Sequence, residues 1–162
     1  MVEVAWRREV VEADIAKIEA LVERTGFFTA AEVRMAGELV EARIEHGYDS
    51  GYEFLIGEVA GAIAGYTCYG AIEGTESSFD LYWIAVDPAH QGAGIGRKIL
   101  GATEAAIAAE KGTRYYAETS STDKYQPTRQ FYERAGFMEV ARIADFYRPG
   151  DGKVIYEKRV QL

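Results

Sequence analysis

The sequence predicts one mixed α/β domain, residues 1–162, with elements in the order β-α-α-β-β-β-α-β-α-β-β. Two kinds of apolar pattern alternate along the chain, one at helical spacing and one in dense β-branched or aromatic runs. Glycine- or proline-bearing breaks separate most of these stretches. The chain has 162 residues, 48% apolar and 27% charged, which suits a single globular domain. At this length folding buries roughly 70% of the surface of the unfolded chain, enough for an independent core.

Val2 to Arg7 makes a first strand. Asp14 reads as an N-cap, followed by Ile15, Ile18 and Val22 at helical spacing up to Gly26. Thr29-Ala30-Ala31-Glu32 is a capping box, and Val33, Gly37, Val40 and Ile44 carry that second helix to Gly47. Tyr52 to Val59 and Ala62 to Ile72 form a hairpin about Ala60-Gly61. Phe79 to Val86, nearly all apolar after Asp80, reads as a central strand covered on both faces. A glycine-rich stretch, Gln91 to Gly96, then opens a helix with Ile99, Ala102, Ala106 and Ile107 inward and Lys111-Gly112 at its end. Tyr115 to Thr119 is a strand, and Pro127 suits the first turn of a short helix ending at Gly136. Val140 to Tyr147 and Val154 to Val160 flank a Pro149-Gly150-Asp151-Gly152 turn as a closing hairpin.

A net charge of −8 argues against a nucleic-acid binder, because neutralising phosphates takes clustered Lys and Arg. It would suit a cationic partner, although acidity also serves solubility alone. No apolar run reaches the ~18 residues of a membrane span, and the start Met1-Val2-Glu3 is unlike a signal peptide. Cys68 is the single cysteine, which excludes an internal disulfide and a cysteine-rich metal site and fits a reducing cytoplasm. No metal is expected.

A strand, a glycine turn and a helix start make an anion site, since glycines admit a close approach and helix N-terminal N–H groups point at the anion. Arg97 and Lys98 add local positive charge. Glycines placed for packing alone are equally consistent with the turn. A Walker A loop needs Lys-Ser/Thr after its last glycine, and a Rossmann fingerprint needs glycine at position 97; Arg97-Lys98 fails both.

The segment from Ile84 to Leu100 resembles motif A of the GNAT N-acetyltransferase superfamily. Gln91, Gly94 and Gly96 meet its Gln/Arg-x-x-Gly-x-Gly/Ala pattern. Phe131-Tyr132-Glu133-Arg134-Ala135-Gly136-Phe137 is similar to motif B. The resemblance spans nearly the whole chain and implies acetyl-coenzyme A as donor, an amine as acceptor, and a sheet splayed between two central strands. It places the pyrophosphate on the N–H groups of Gln91, Gly92, Ala93, Gly94, Ile95 and Gly96. The pantetheine arm falls along Ile84, Ala85 and Val86, and Tyr132 faces the leaving sulfur. Tyr125 stands where many relatives carry Asn. Relatives often form homodimers through their terminal strands.

An aliphatic amine of pKa near 10.4 is only about 0.04% neutral at pH 7, so requiring the free base costs roughly 4–5 kcal/mol of apparent barrier. A general base recovers part of that. The resemblance puts Asp80 where some members hold a catalytic glutamate; Glu118, on the neighbouring strand, is the second candidate, and a water relay the third. A thiol of pKa near 8.5 leaves readily, so Tyr132 serves chiefly by hydrogen-bonding the sulfur.

Cys68 reads as a small buried hydrophobe, His46 and His90 as surface residues, His90 close enough to the turn to touch a phosphate. Trp83 beside Tyr82 reads as core. Phe27, Phe28 and Met35 either line the acceptor pocket or pack in the core. Two functions compete: an amine acetyltransferase, and a non-catalytic coenzyme A-binding regulatory module that keeps the fold without turnover. A nucleotide-binding oxidoreductase is disfavoured by the missing Rossmann spacing.

Overall fold

The computed structural model describes residues 2–161. Its elements follow the expected order: β1 (Ala5–Arg7), α1 (Ala13–Arg24), α2 (Ala30–His46), β2 (Glu53–Val59), β3 (Ala62–Ala71), β4 (Ser78–Val86), α3 (Ile95–Ala109), β5 (Arg114–Ser120), α4 (Gln126–Arg134), β6 (Met138–Arg148) and β7 (Asp151–Arg159). The strands make a mixed sheet in the order β1-β2-β3-β4-β5-β7-β6. The β4–β5 pair is parallel, and α3 supplies the long connection that parallel neighbours require. Their ladder runs from Ser78↔Arg114 to Leu81↔Ala117, whereas β4 continues to Val86. No further β4–β5 pair occurs among the described residues, in keeping with the parting of central strands that the family resemblance implies.

The chain divides into two compact units, one of Met1–Gly70 with Trp83–Ala105 and one of Ala71–Tyr82 with Ala106–Leu162. In the first, α1 and α2 bury Ile18, Leu21, Val22, Ala36 and Val40 against Phe54, Ile56, Tyr66 and Cys68 of the β2–β3 hairpin. The Val, Leu, Ile and Phe side chains among them each contribute roughly 1.5–3 kcal/mol on leaving water. The hairpin turns on Ala60 and Gly61, both at positive φ (51° and 80°), the geometry that matches strand twist in a two-residue loop. Helix α3 packs Ile95 and Ile99 on Ala64 of β3. Gly65 makes that approach feasible, since a Cβ there would lie 2.5 Å from Ile99 Cδ1 and 2.9 Å from the Ala85 carbonyl oxygen.

Several local expectations are corrected. Asp14 is not the N-cap of α1; that position is Glu12, which makes no side-chain cap. Asp14 sits inside the first turn, buried, where its carboxylate accepts from the Val11 N–H (2.8 Å) and from both Arg7 amino groups (2.7 and 3.0 Å). Thr29 does cap α2, its hydroxyl accepting from the Glu32 N–H at 3.2 Å, but Ile44 is exposed and Arg43 takes the buried place beside it. A hydrophobic stripe counted at fixed spacing misses such a swap, because a long guanidinium stem can lie inward while its head finds Glu9 and the Tyr48 ring.

In the second unit β7 lies between β5 and β6 and pairs antiparallel with both. Helix α4 covers one face, setting Tyr132 against Phe137 and Tyr156 with ring centroids 5.2 and 5.8 Å away; Tyr115 meets Phe137 at 4.9 Å. Lys111, not Gly112, takes the left-handed position after α3 (φ 64°), and Gly112 N–H returns to the Ile107 carbonyl at 2.9 Å. Gly112 is needed for space instead, because a Cβ would strike Ile107 and Phe79. The closing turn is shorter than the sequence suggests, as Asp151 and Gly152 already belong to β7.

Candidate active site

In the first unit, β4 delivers the chain to Asp87, whose N–H donates to Ala64 O at 2.8 Å and prolongs the sheet. The Asp87 carboxylate accepts from the Ala89 N–H (3.0 Å) and from Arg24 (2.6 Å). Burial works against its charge, but these donors together hold its pKa below the usual carboxylate range. A short 3₁₀ turn, Pro88–His90, leads into Gln91 to Gly94, and α3 starts at Ile95. Gly92 and Gly94 have φ of 83° and 74°, a region open to glycine at no steric cost. The first backbone bond into the helix is Lys98 N–H to Gly94 O (3.1 Å); among the described residues no carbonyl accepts from the N–H groups between Gly92 and Arg97. Gln91 to Gly94 are exposed, with open space where a Cβ at either glycine would stand. The turn therefore fits a phosphate-bearing group, with backbone donors that bond no carbonyl at the positive end of a helix. Arg97 is exposed, while Lys98 Nζ donates to Val2 O at 3.0 Å. His90 departs from the surface reading, with both ring nitrogens buried and unpartnered.

Ala85 is buried and Ile84 and Val86 half-buried at the end of β4. Phe28 packs on Trp83 with ring centroids 4.9 Å apart, and both lie against the core of this unit. Phe27 is half-buried, whereas Met35 and Tyr82 are exposed. Cys68 is fully buried, and burial pushes its thiol pKa up strongly, as suits an inert core residue.

In the second unit the two carboxylate candidates come together. Asp80 pairs in register with Tyr116, and Glu118 lies two residues further along β5 on the same face. Lys153 of β7, which the sequence reading passed over, donates to Glu118 Oε2 at 2.7 Å. Its Nζ also lies 4.3 Å from the Phe146 ring centroid. Asp80 is half-buried, and its pKa is raised by that burial first and by the Glu118 charge second, with Lys153 opposing. Nothing local in the sequence marks Lys153, because it reaches Glu118 only through the β5–β7 register, in which Ser120 faces Lys153 and Glu118 faces Ile155.

Tyr132 stands on the other face of the same strands. It packs on Tyr156, whose side alternates with that of Ile155, the register partner of Glu118. Tyr132 is 5% exposed, and burial raises its phenol pKa well above the ordinary value. Tyr156 is likewise pushed up to about 12, by burial and by its hydrogen bond to Glu133 at 3.2 Å. Arg129, also unforeseen, donates to the Ser120 and Thr122 carbonyls at 2.8 Å each and ties α4 to the end of β5. Tyr125 sits half-buried at the N-cap of α4.

Residues 50–139, which contain the glycine turn, Asp80, Glu118 and Tyr132, match the family model described as the acetyltransferase (GNAT) domain. The chain belongs to the GNAT acetyltransferase family. It is 44% identical to a solved protein assigned to that family from Desulfovibrio desulfuricans, with a TM-score of 0.95 over 98% of this chain and 100% of the other. The fold alone is shared with the ribosomal-protein-S18-alanine N-acetyltransferase of Escherichia coli, at 16% identity and a TM-score of 0.77 over 99% and 96% of the two chains. It is also shared with YncA of Salmonella typhimurium, solved with its cofactor acetyl-CoA, at 21% identity and 0.72 over 98% and 94%. No curated protein matched significantly. This GNAT protein is thus an acyltransferase. Among its described residues no helix is long and apolar enough to cross a membrane, and no group of three or more His, Cys, Asp or Glu side chains is placed to hold a metal ion.

Proposed function

We propose that this acetyltransferase moves an acetyl group from acetyl-CoA to a primary amine of a small molecule or peptide by direct attack in a ternary complex, residues 1–162 acting as one N-acetyltransferase domain. The observation that carries the reading is the run of unpaired N–H groups from Gly92 to Arg97 at the start of α3, inside the segment that matches the family. Acetyl-CoA, when bound, supplies an acyl carbon already joined to a good thiol leaving group. The chain's own residues do the rest. Gln91, Gly92, Ala93, Gly94, Ile95 and Gly96 take the pyrophosphate, with Arg97 the better placed cation because Lys98 is held on Val2 O. Ile84, Ala85 and Val86 offer backbone to the pantetheine arm, and Tyr125 stands beside it where relatives often carry Asn, so the polar grip on the arm is supplied differently here.

Asp80 takes the proton from the acceptor ammonium so that nitrogen can attack. Its raised proton affinity brings it nearer to the working pH, which improves a general base. Glu118, engaged by Lys153, is the less available carboxylate. Tyr132 keeps its proton and donates a hydrogen bond to the departing sulfur. The net charge of −8 complements a cationic acceptor.

Thiol release from acetyl-CoA, followed across amines, amino acids, polyamines and peptides, tests the proposal. Release that depends on one class of amine supports it. Acetyl-CoA that raises the Tm while no acceptor elicits thiol would favour the non-catalytic coenzyme A-binding module.

A further inference from the structure

We infer that Lys153 is a positioning residue that assigns the two neighbouring carboxylates their roles, holding Glu118 in an ion pair and leaving Asp80 as the proton acceptor. The inference rests on the acetyltransferase reading above and adds to it a residue and a division of labour. The geometry is a cross-strand diagonal: Glu118 and Lys153 are two positions out of direct register on β5 and β7, on the same face of the sheet, and the long lysine stem closes the gap to 2.7 Å. Phe146 of β6 lies beneath the ammonium at 4.3 Å and limits where it can swing.

Several other charged groups on this face are engaged. Tyr116, the register partner of Asp80, donates to Glu157 at 2.7 Å, and the Arg114 guanidinium lies 3.8 Å from the same carboxylate. Asp151 accepts from Ser120 at 2.5 Å and lies 3.9 Å from Arg148. Tyr147 of β6 feels both Lys153 and Glu118, and burial raises its pKa further from the working range. Asp80 alone has no cation bound to it at hydrogen-bond distance among the described residues. It therefore senses Glu118 as a repelling anion and Lys153 as the charge that tempers the repulsion.

Removing the lysine charge must unmask Glu118 and shift Asp80 titration to higher pH. The test follows the Asp80 carboxyl carbon by NMR pH titration of the full chain, which needs no acceptor. Lys153→Met should raise the Asp80 midpoint, Lys153→Arg should leave it near wild type, and Glu118→Gln should lower it. The double variant Lys153→Met/Glu118→Gln should fall back to or below wild type. An unmoved midpoint in both Lys153→Met and Glu118→Gln, with Tm near that of wild type, overturns the inference.

The same variants are then assayed for thiol release with acetyl-CoA and a turned-over amine of the panel. Lys153→Met should move the acid limb of the pH–rate profile to higher pH and so lose more activity on that limb than at pH 9. If Asp80→Asn flattens that limb while Lys153→Met leaves it in place, Lys153 has no such role and the parent reading stands. If the limb survives in Asp80→Asn, Asp80 is not the base and the inference falls with that assignment.

Discussion

At Tyr132 a phenol is enclosed by the rings of Phe131, Phe137 and Tyr156, and burial lifts its pKa away from that of a thiol. A group so reluctant to ionise is a weak proton source but a good hydrogen-bond donor. Tyr132→Phe keeps the ring and its packing, so the Tm should move little. With acetyl-CoA affinity nearly unchanged, turnover should fall by roughly 10–1,000-fold, the lower part of the range for a positioned proton donor. Steady-state kinetics beside a thermal melt decides the matter, and unchanged turnover returns Tyr132 to a packing role. The motif around this residue was visible in the sequence. Its enclosure was not, because Tyr156 reaches it from a strand more than twenty positions away.

The element that matters most is α3 with the turn before it. Gly65 lets Ile99 settle onto β3, the buried Thr67–Thr103 hydroxyl pair at 2.6 Å pins the next turn, and the start of the helix is thereby held in place. Gly94→Asp places a side chain at φ 74° and a carboxylate where phosphate oxygens would approach. The left-handed conformation itself costs roughly 1–2 kcal/mol for a residue with a Cβ, somewhat less for Asp, so the variant should still fold. It should lose the rise in Tm that acetyl-CoA gives wild type, which follows RT ln(1 + [L]/Kd). Equal ligand-induced shifts in the two proteins would refute the assigned phosphate turn. The glycine pattern here was legible because positive φ leaves its mark in residue type, as at Gly92 and Gly94. Lys111 shows the limit: the left-handed residue after α3 is a lysine, and the adjacent Gly112 is demanded by the crowding of Ile107 and Phe79.

For the molecule as a whole, one buried ion pair links folding to pH. The Asp14 side chain is 1% exposed and held by Arg7, which also bonds Glu58 of β2 at 2.8 Å, so α1, β1 and the sheet meet at one guanidinium. Burial opposes the Asp14 charge, but Arg7 and the Val11 N–H overcome it and keep the carboxyl pKa low. A folded pKa below the unfolded value of about 3.9 adds stability that is complete above that value and is lost as pH falls through the folded pKa. Wild type should therefore weaken below about pH 4. Asp14→Asn should be less stable at neutral pH by roughly 1–3 kcal/mol and flatter in its acid dependence, as thermal melts between pH 3 and 7 would show. A parallel offset at every pH would mean that the aspartate acts by packing alone.

The sequence by itself determined the element order, the capping of α2 by Thr29, the hairpin at Ala60-Gly61 and the glycine turn that opens α3. These are local matters, decided by spacing, turn chemistry and glycine within a few residues. Only the tertiary structure decided that Asp14 would be a buried partner of Arg7 and not a cap, and that Arg43 would lie inside while Ile44 lay out. It alone brought Lys153 to Glu118 and Arg129 to the end of β5. Those choices depend on sheet register and on charges meeting across strands distant in the chain. Their energies come from partners that no local window of sequence contains.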